Sequence, residues 1–449
     1  MPLTQDLAQF CTSLRYEEIP EEALAFIRIG FTDCFATLVA GRDSDEVRIL
    51  FEVLQPCAGD SRLLVSQGTA RAPEAAWINA TAAHALDFDD AAQRGHISAV
   101  VVPAILAEAD ASGADGRRMA AAYAAGYETW ADLMRREPDH YHNHSWHPTG
   151  VFGPIAAAAA CASLRGLSAA QAVHALSLAA SQSAGLIANF GSMTKPFHAG
   201  RAAHAGVMAA RLAQKGFTAS PDALEHPKGW MQGVSPAGRA DVDSAVQAGR
   251  YWKLPRGGLN IKKYPLCFAT HRALDGMLKL LQEHPLQLEQ VRRIAVTTSR
   301  RNRATLRFTR PETASQAKFS MQFAMASALI AGGSGLLELQ DAFLQRGDVQ
   351  RAMGLVEVLP EDVEDPLRPG EAPWDVVQID THDGHTFTRS VDYVRGGPEL
   401  PLVKGELFAK FSSCLRAGGM RVEPRPLFDA LMGLDRLAGT RAIYALAAA

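Results

Sequence analysis

Between Pro20 and residue 227 the chain is written largely in alanine-rich segments whose apolar residues recur every three or four positions. This spacing restricts the fold more than any other feature. Pro20 reads as part of a first helical turn with Glu21 and Glu22 behind it, where acidic side chains favour the positive end of the helix dipole. Leu24, Ile27, Phe31, Cys34, Phe35 and Leu38 then mark one apolar face, and Gly41 reads as the stop. The same reasoning predicts helices over 72–86, 99–112, 115–134, 149–164, 168–184, 197–215 and 220–227. Ser168 and Ser220 read as N-caps, and Gly166 and Gly216 as stops. Alanine leaves flat helix faces that approach closely, so this part of the chain is expected to be all-α and tightly packed.

The pattern changes after about residue 255. Val291–Thr298 and Leu355–Leu359 read as strands, and Val376–Thr381, Asp383-Gly384 and Thr386–Val394 read as a hairpin. Ala317–Ala331 and Leu336–Leu344 look helical between them. Gly396-Gly397-Pro398 breaks the run, after which Val403–Phe411, Leu427–Leu437 and the alanine-rich tail return to helix. At 449 residues two domains are expected. Residues 1–255, completed by 396–449, would form the all-α domain, and 256–395 a smaller α+β domain.

A formal charge of −3 argues against nucleic acid or an anionic membrane as partner. The six cysteines include no CxxC pair and several fall in apolar runs, which suits reduced, structural thiols. The opening residues show no basic region leading into an apolar core, and the apolar stretch Gly150–Cys161 is too short to span a bilayer. These features read as a soluble cytoplasmic protein.

Four stretches carry candidate chemistry. His84-Ala85-Leu86-Asp87-Phe88-Asp89-Asp90, followed by His96, gathers three carboxylates and two imidazoles at the end of a helix. Such carboxylates repel one another unless a metal, a cation or a polar ligand site offsets them. Asp139–His147 holds four histidines ahead of Pro148-Thr149-Gly150. Imidazole and carboxylate suit zinc or iron, but the spacing matches no helix-borne ligand pair. The more economical reading is that His147, just before a helix, faces a pocket while the others are loop surface. Gly191–His204 places Lys195 at a helix start, where backbone N–H groups would hold a carboxylate or phosphate, and Gly200 permits close approach of a ligand or a helix. Ile261–His271 puts His271 at a helix start near the change of pattern. No GxGxxG, GxxxxGK[ST] or GxSxG pattern supports a nucleotide cofactor or acyl transfer.

Taken together, HALDFDD with His96, WHPTGVFG at 146–153, MTKPFHAGRAA at 193–203, KKYPLCFATH at 262–271 and PETASQAKFSMQFAMA at 311–326 resemble the signature segments of the MmgE/PrpD family. That family includes 2-methylcitrate dehydratase, cis-aconitate decarboxylase and iminodisuccinate epimerase. The resemblance implies a mainly α fold, with a large helical domain built from both chain ends, a smaller α+β lid domain, and a homodimer. It also implies catalysis on a small di- or tricarboxylate without metal or organic cofactor. A dehydratase-like lyase is the leading expectation, with epimerase or decarboxylase chemistry as alternatives. Carried over by motif, the catalytic residues would be Asp87, His96, His147 and Lys195, with Lys195, His271, Gly200 and Phe323 on the substrate. Lys195 would anchor a carboxylate, His96 and His147 would act as general acid and base, and Asp87 would orient an imidazole or act as base. Three positions depart from the family pattern: Ala91 stands where many members carry threonine, Phe323 where tyrosine is common, and Ile97 where proline follows the histidine.

Overall fold

The computed structural model describes residues 2–66, 68–366 and 371–448. It is mainly helical, with two small sheets among the described residues. The chain forms two compact units: Met1–Asn189 with Met193–Ile261 and Val403–Ala449, and Phe190–Ser192 with Lys262–Leu402.

The first unit opens with helices α1 (Leu3–Ser13), α2 (Glu21–Gly41) and α3 (Asp45–Leu54), then a two-stranded ribbon, β1 (Ser61–Arg62) and β2 (Thr69–Ala70). It continues through α4 (Ala72–Ala85), α5 (Ile97–Ser112), α6 (Gly116–Arg135), α7 (Pro148–Arg165), α8 (Ala169–Ala180) and α9 (Thr194–Gln214) to short α10 (Trp230–Val234) and α11 (Leu254–Gly257). The second unit holds α12 (His271–Glu283), β3 (Val291–Ser299), α13 (Arg300–Thr305), α14 (Ala314–Ala317), α15 (Met321–Ala331), α16 (Asp341–Leu344), α17 (Gly347–Gly354), β4 (Val356–Glu361), β5 (Asp375–Thr381) and β6 (Thr386–Val391). Helices α18 (Lys404–Ala417), α19 (Pro424–Met432) and α20 (Thr440–Ala448) return to the first unit.

In the first unit α7 packs on α6 and α9, and α4 packs on α9, α5 and α2. Small residues set these distances: a Cβ added at Gly206 would lie 2.3 Å from that of Ala157. Helix α2 ends at Gly41, as read from the sequence, and Gly41 is also a packing glycine. Arg42 beyond it is right-handed, and a Cβ at Gly41 would lie 2.2 Å from the Ala82 carbonyl. Pro20 lies outside the helix in extended conformation, as its N-cap residue. Helix α2 has the length and apolarity to cross a membrane, and 72% of that stretch is buried inside the structure, as in a core helix. Ser168 caps α8 through a capping box with Gln171, while Gly166 and Gly216 take left-handed φ values of 63° and 89° after α7 and α9.

Two expected helices differ. Residues 181–184 leave α8, where Ser183 Oγ donates to the Val151 carbonyl and accepts from Trp230 Nε1. The segment 220–227 forms turns instead of a helix. Pro227 lacks an N–H, the Leu224 N–H goes to Thr4 Oγ of α1, and Ser220 Oγ bonds Asp222 rather than capping.

The second unit is a four-stranded sheet of order β4-β3-β5-β6, with β3 and β4 parallel and the other pairs antiparallel. Gly384, at φ 89°, turns the β5–β6 hairpin, and β6 ends at Val391, short of the expected Val394. The expected helix 317–331 is divided because Ser320 caps a new one, accepting from the Phe323 N–H. Of 336–344 only α16 is helical.

Candidate active site

The run from His84 to His96 is shaped by where α4 stops. Leu86 leaves the helical region and Asp87 takes a φ of 50°, a left-handed conformation that aspartate tolerates better than most residues. The Asp87 N–H closes the turn on the His84 carbonyl at 3.1 Å. The following loop is fastened from several sides. Ala91 and Asn260 exchange backbone hydrogen bonds, Trp130 Nε1 donates to the Gln93 carbonyl, and Lys410 of α18 donates to the Phe88 carbonyl. Strain at Asp87 persists because this surrounding frame determines it.

Three helices begin at the site. His96 is the N-cap residue of α5, His147 is the N-cap residue of α7, and Lys195 lies in the first turn of α9. Each N-terminus presents backbone N–H groups and roughly half a positive charge. Lys195 Nζ donates to Asp87 Oδ1 at 2.8 Å, with both side chains at most 5% exposed. His96 Nε2 lies 3.6 Å from the same Asp87 oxygen. The Asp89 carboxylate bridges two imidazoles, with His84 Nδ1 2.8 Å from Oδ1 and His96 Nδ1 2.9 Å from Oδ2. The rings of His84 and His96 lie 4.2 Å apart between centroids, and His147 is 6.1 Å and 6.3 Å from them. His147 Nδ1 meets His198 Nδ1 at 3.0 Å.

Burial pushes the His84 imidazole down to about 3, so at neutral pH it is a neutral donor to Asp89. Burial works against the charged form of Asp89, but the flanking imidazoles of His84 and His96 hold its carboxyl well below the usual range. Burial and then the Lys195 ammonium hold His147 well below its ordinary value, and the same two causes bring His198 to about 4. Asp90 faces another way. Burial, reinforced by Asp33 and Asp89 against a bond from Ser98, pushes it up to about 8, so it is a neutral acid at neutral pH. Nearby, Lys410 Nζ sits 2.6 Å from Asp33 Oδ1.

The structure therefore brings together Asp87, His96, His147 and Lys195. The other sequence candidates are placed differently. Gly200 is a packing glycine: a Cβ there would lie 2.1 Å from Thr81 Oγ1 and 2.6 Å from the Trp77 carbonyl of α4, so of the two close approaches expected of it the structure shows that of a helix. Phe323 is fully buried in the core of the second unit, edge-on to Phe343, and its ring serves that core. His271 begins α12 in the second unit, buried between Tyr264 and Phe268, with Nε2 3.3 Å from the Leu266 carbonyl. His140, His142 and His144 join no cluster of metal-type donors among the described residues.

His84, Asp89 and His198 belong to the site although sequence reasoning did not select them. His198 lies three residues after Lys195, on the same helix face, and that spacing could have found it. The donor atoms of His84, His96 and His147, and those of His84, Asp87, Asp89 and His96, fall within 4.8 Å of one another, a set that could hold a divalent ion. In this structure Asp89 lies between two imidazoles and Asp87 pairs with an ammonium.

A buried lysine–carboxylate pair flanked by imidazoles lies where three helices begin, an arrangement whose chemistry suits holding an anion and moving a proton. The chain belongs to the MmgE/PrpD family. Its residues 5–243 match the MmgE/PrpD N-terminal domain and residues 264–423 the MmgE/PrpD C-terminal domain. It is 28% identical over 352 residues to a cis-aconitate decarboxylase of Homo sapiens, covering 75% of this chain and 71% of the relative. A cis-aconitate decarboxylase of Aspergillus terreus is 23% identical over 481 residues, covering 97% and 94% of the two chains.

Proposed function

We propose that this protein is a carboxylate lyase that breaks a bond at a carbon next to a carboxylate of a small di- or tricarboxylic acid, without metal or organic cofactor. The observation that carries this reading is the Lys195–Asp87 pair, buried beside His96 and His147 where three helices begin. Lys195 and the N–H groups of α9 would hold a substrate carboxylate and the charge that develops when the adjacent bond breaks. His96 and His147 would deliver or remove the proton, with Asp87 setting the polarity around them. The names of the relatives make decarboxylation of cis-aconitate the first reaction to test, ahead of the dehydration that the sequence motifs suggested.

A second reading, epimerisation of a small dicarboxylate, is favoured by Ala91, which leaves a position beside the His84–His96 cluster without the hydroxyl that many members carry. Proton removal and return needs only the imidazoles. Incubating the protein in deuterated water with citrate-, aconitate- and aspartate-derived acids, followed by NMR, separates the readings. Loss of CO₂ or water supports the lyase, exchange with inversion supports the epimerase, and no reaction with any acid overturns both.

A further inference from the structure

We propose that His198 is a positioning residue that fixes the tautomer of His147 and thereby decides what His147 Nε2 offers to the reaction. The two rings meet through their Nδ1 atoms at 3.0 Å, with centroids 5.3 Å apart. A hydrogen bond between two like nitrogens of neutral imidazoles has only two forms, because one ring must donate and the other accept. If His147 donates from Nδ1, its Nε2 is a lone pair and therefore a base. If His198 donates, His147 carries its proton on Nε2 and is an acid. With Nδ1 committed to His198, Nε2 is the working nitrogen of His147.

Both rings are held in place. The His147 N–H donates to the Gly185 carbonyl, and Pro148 behind it fixes the start of α7. His198 lies against Gly185, where an added Cβ would stand 3.3 Å from its Cγ and Nδ1. Its place one turn after Lys195 ties the pair to the carboxylate anchor through α9. Burial and the Lys195 ammonium keep both imidazoles neutral at neutral pH, so the pair stays a two-form switch and does not collapse into an imidazolium pair.

Which form operates rests on the lyase reading above. Loss of CO₂ leaves the electron pair on carbon, and a proton must then bond to that carbon as an N–H bond breaks. The form required is the one in which His198 Nδ1–H donates to His147 Nδ1 and His147 carries Nε2–H. In that form His147 is poised as the acid before substrate arrives.

The test uses the full chain labelled with ¹⁵N-histidine, with long-range proton–nitrogen spectra recorded without substrate. His147 is assigned by the signal lost in His147→Gln. The expected wild-type spectrum shows His147 as a single Nε2–H tautomer. His198→Leu removes the partner and should mix or invert that tautomer, whereas His198→Asn places an amide N–H near the Nδ1 position and should keep it. In turnover of cis-aconitate, His198→Leu should lower kcat about 100-fold with KM within about twofold, and His198→Asn should recover to within about tenfold of wild type. An Nδ1–H tautomer of His147 in the wild type overturns the proposal without any variant. So does a His147 signal unchanged in His198→Leu, or a leucine variant as active as the asparagine one. If the tautomer shifts as expected but the wild type turns over no acid of the panel, the lyase reading fails and the His147–His198 assignment stands.

Discussion

Asp89→Asn is the sharpest test of how the site is wired, because it changes one atom in a fully buried bridge. The carboxylate accepts from His84 Nδ1–H at 2.8 Å, and its other oxygen lies 2.9 Å from His96 Nδ1, which also faces the Asp90 carbonyl at 3.1 Å. Asparagine keeps one accepting oxygen and turns the other position into an NH₂ that meets an N–H head-on. That contact is relieved either by the His96 Nδ1–H turning wholly to the Asp90 carbonyl, 3.1 Å away, or by one imidazole moving its proton to Nε2. For His96, Nε2 is the nitrogen 3.6 Å from Asp87, so the ring facing the reaction changes from acceptor to donor. Losing one hydrogen bond to a charged acceptor costs about 1.5–3 kcal/mol. At about 1.4 kcal/mol per factor of ten, that is a fall of roughly 10- to 150-fold in kcat if the loss is felt in the transition state. KM should move far less, since Lys195 and the helix ends still hold the carboxylate. The assay is steady-state turnover of the acid that the wild type consumes, with thermal unfolding to confirm the fold. A folded Asp89→Asn protein within threefold of wild-type kcat would refute the claim that Asp89 orients His96.

Other consequences are equally direct. Lys195→Ala and His147→Ala should each lower turnover by about two or more orders of magnitude. The lysine variant should also lose about 3–5 kcal/mol in urea melts, because the buried Asp87 carboxylate loses its ammonium. Stability should weaken in acid: His84 and His198 titrate near 3 and 4 when folded, against about 6.5 unfolded, so the unfolded chain binds more protons between those values. Their contribution is complete above about pH 6.5 and is lost as pH falls towards 4 and then 3, which melts at pH 7, 5.5 and 4.5 would register. Asp90 carries the opposite sign. With a folded value of about 8, its contribution is complete below about pH 3.8 and is lost progressively as pH rises to 8, so Asp90→Asn should remove a decline between about pH 4 and 8 and leave neutral-pH turnover near wild type. Chelators should leave activity unchanged, and a loss restored by an added divalent metal would assign the His84, His96 and His147 donors to an ion.

The helices that were legible in the sequence are those whose own residues determine them. The face from Leu24 to Leu38, the capping box of Ser168 and the stops at Gly166 and Gly216 are local signals, and the structure keeps them. The failures have tertiary causes. At 220–227 the helical alternative loses because Thr4, more than two hundred residues away, takes a backbone N–H that the helix would have used. Gly41 ends α2 as expected, but its close approach to the Ala82 carbonyl on a neighbouring helix was not legible locally. At the site, motif positions located Asp87, His96, His147 and Lys195, while pairings stayed hidden. Nothing in the spacing of Asp87, Asp89 and Asp90 says that one takes a lysine, one takes two imidazoles and one turns away towards Ser98.

That three-way division bears on the chemistry. Three carboxylates within four residues would repel one another if they shared one environment. Here burial keeps Asp90 neutral, Asp89 lies between the imidazoles of His84 and His96, and Asp87 pairs directly with an ammonium. The loop's ion pair with Lys195 thus lies beside the His96 imidazole. Ala91 sharpens the point. Its backbone is tied to Asn260 in both directions, so the position is fixed, yet it has no hydroxyl to give. A threonine at that place would supply a proton donor two residues after Asp89; in the proposed reaction the imidazoles take that duty. Ala91→Thr should accordingly be tolerated by the fold, since the half-buried side chain lies on a loop whose backbone bonds are unchanged. Its effect on the ratio of decarboxylation to proton exchange in deuterated water then measures how much of the outcome a single hydroxyl controls. If the ratio is the same in both proteins, the hydroxyl is irrelevant and the imidazoles alone set the reaction.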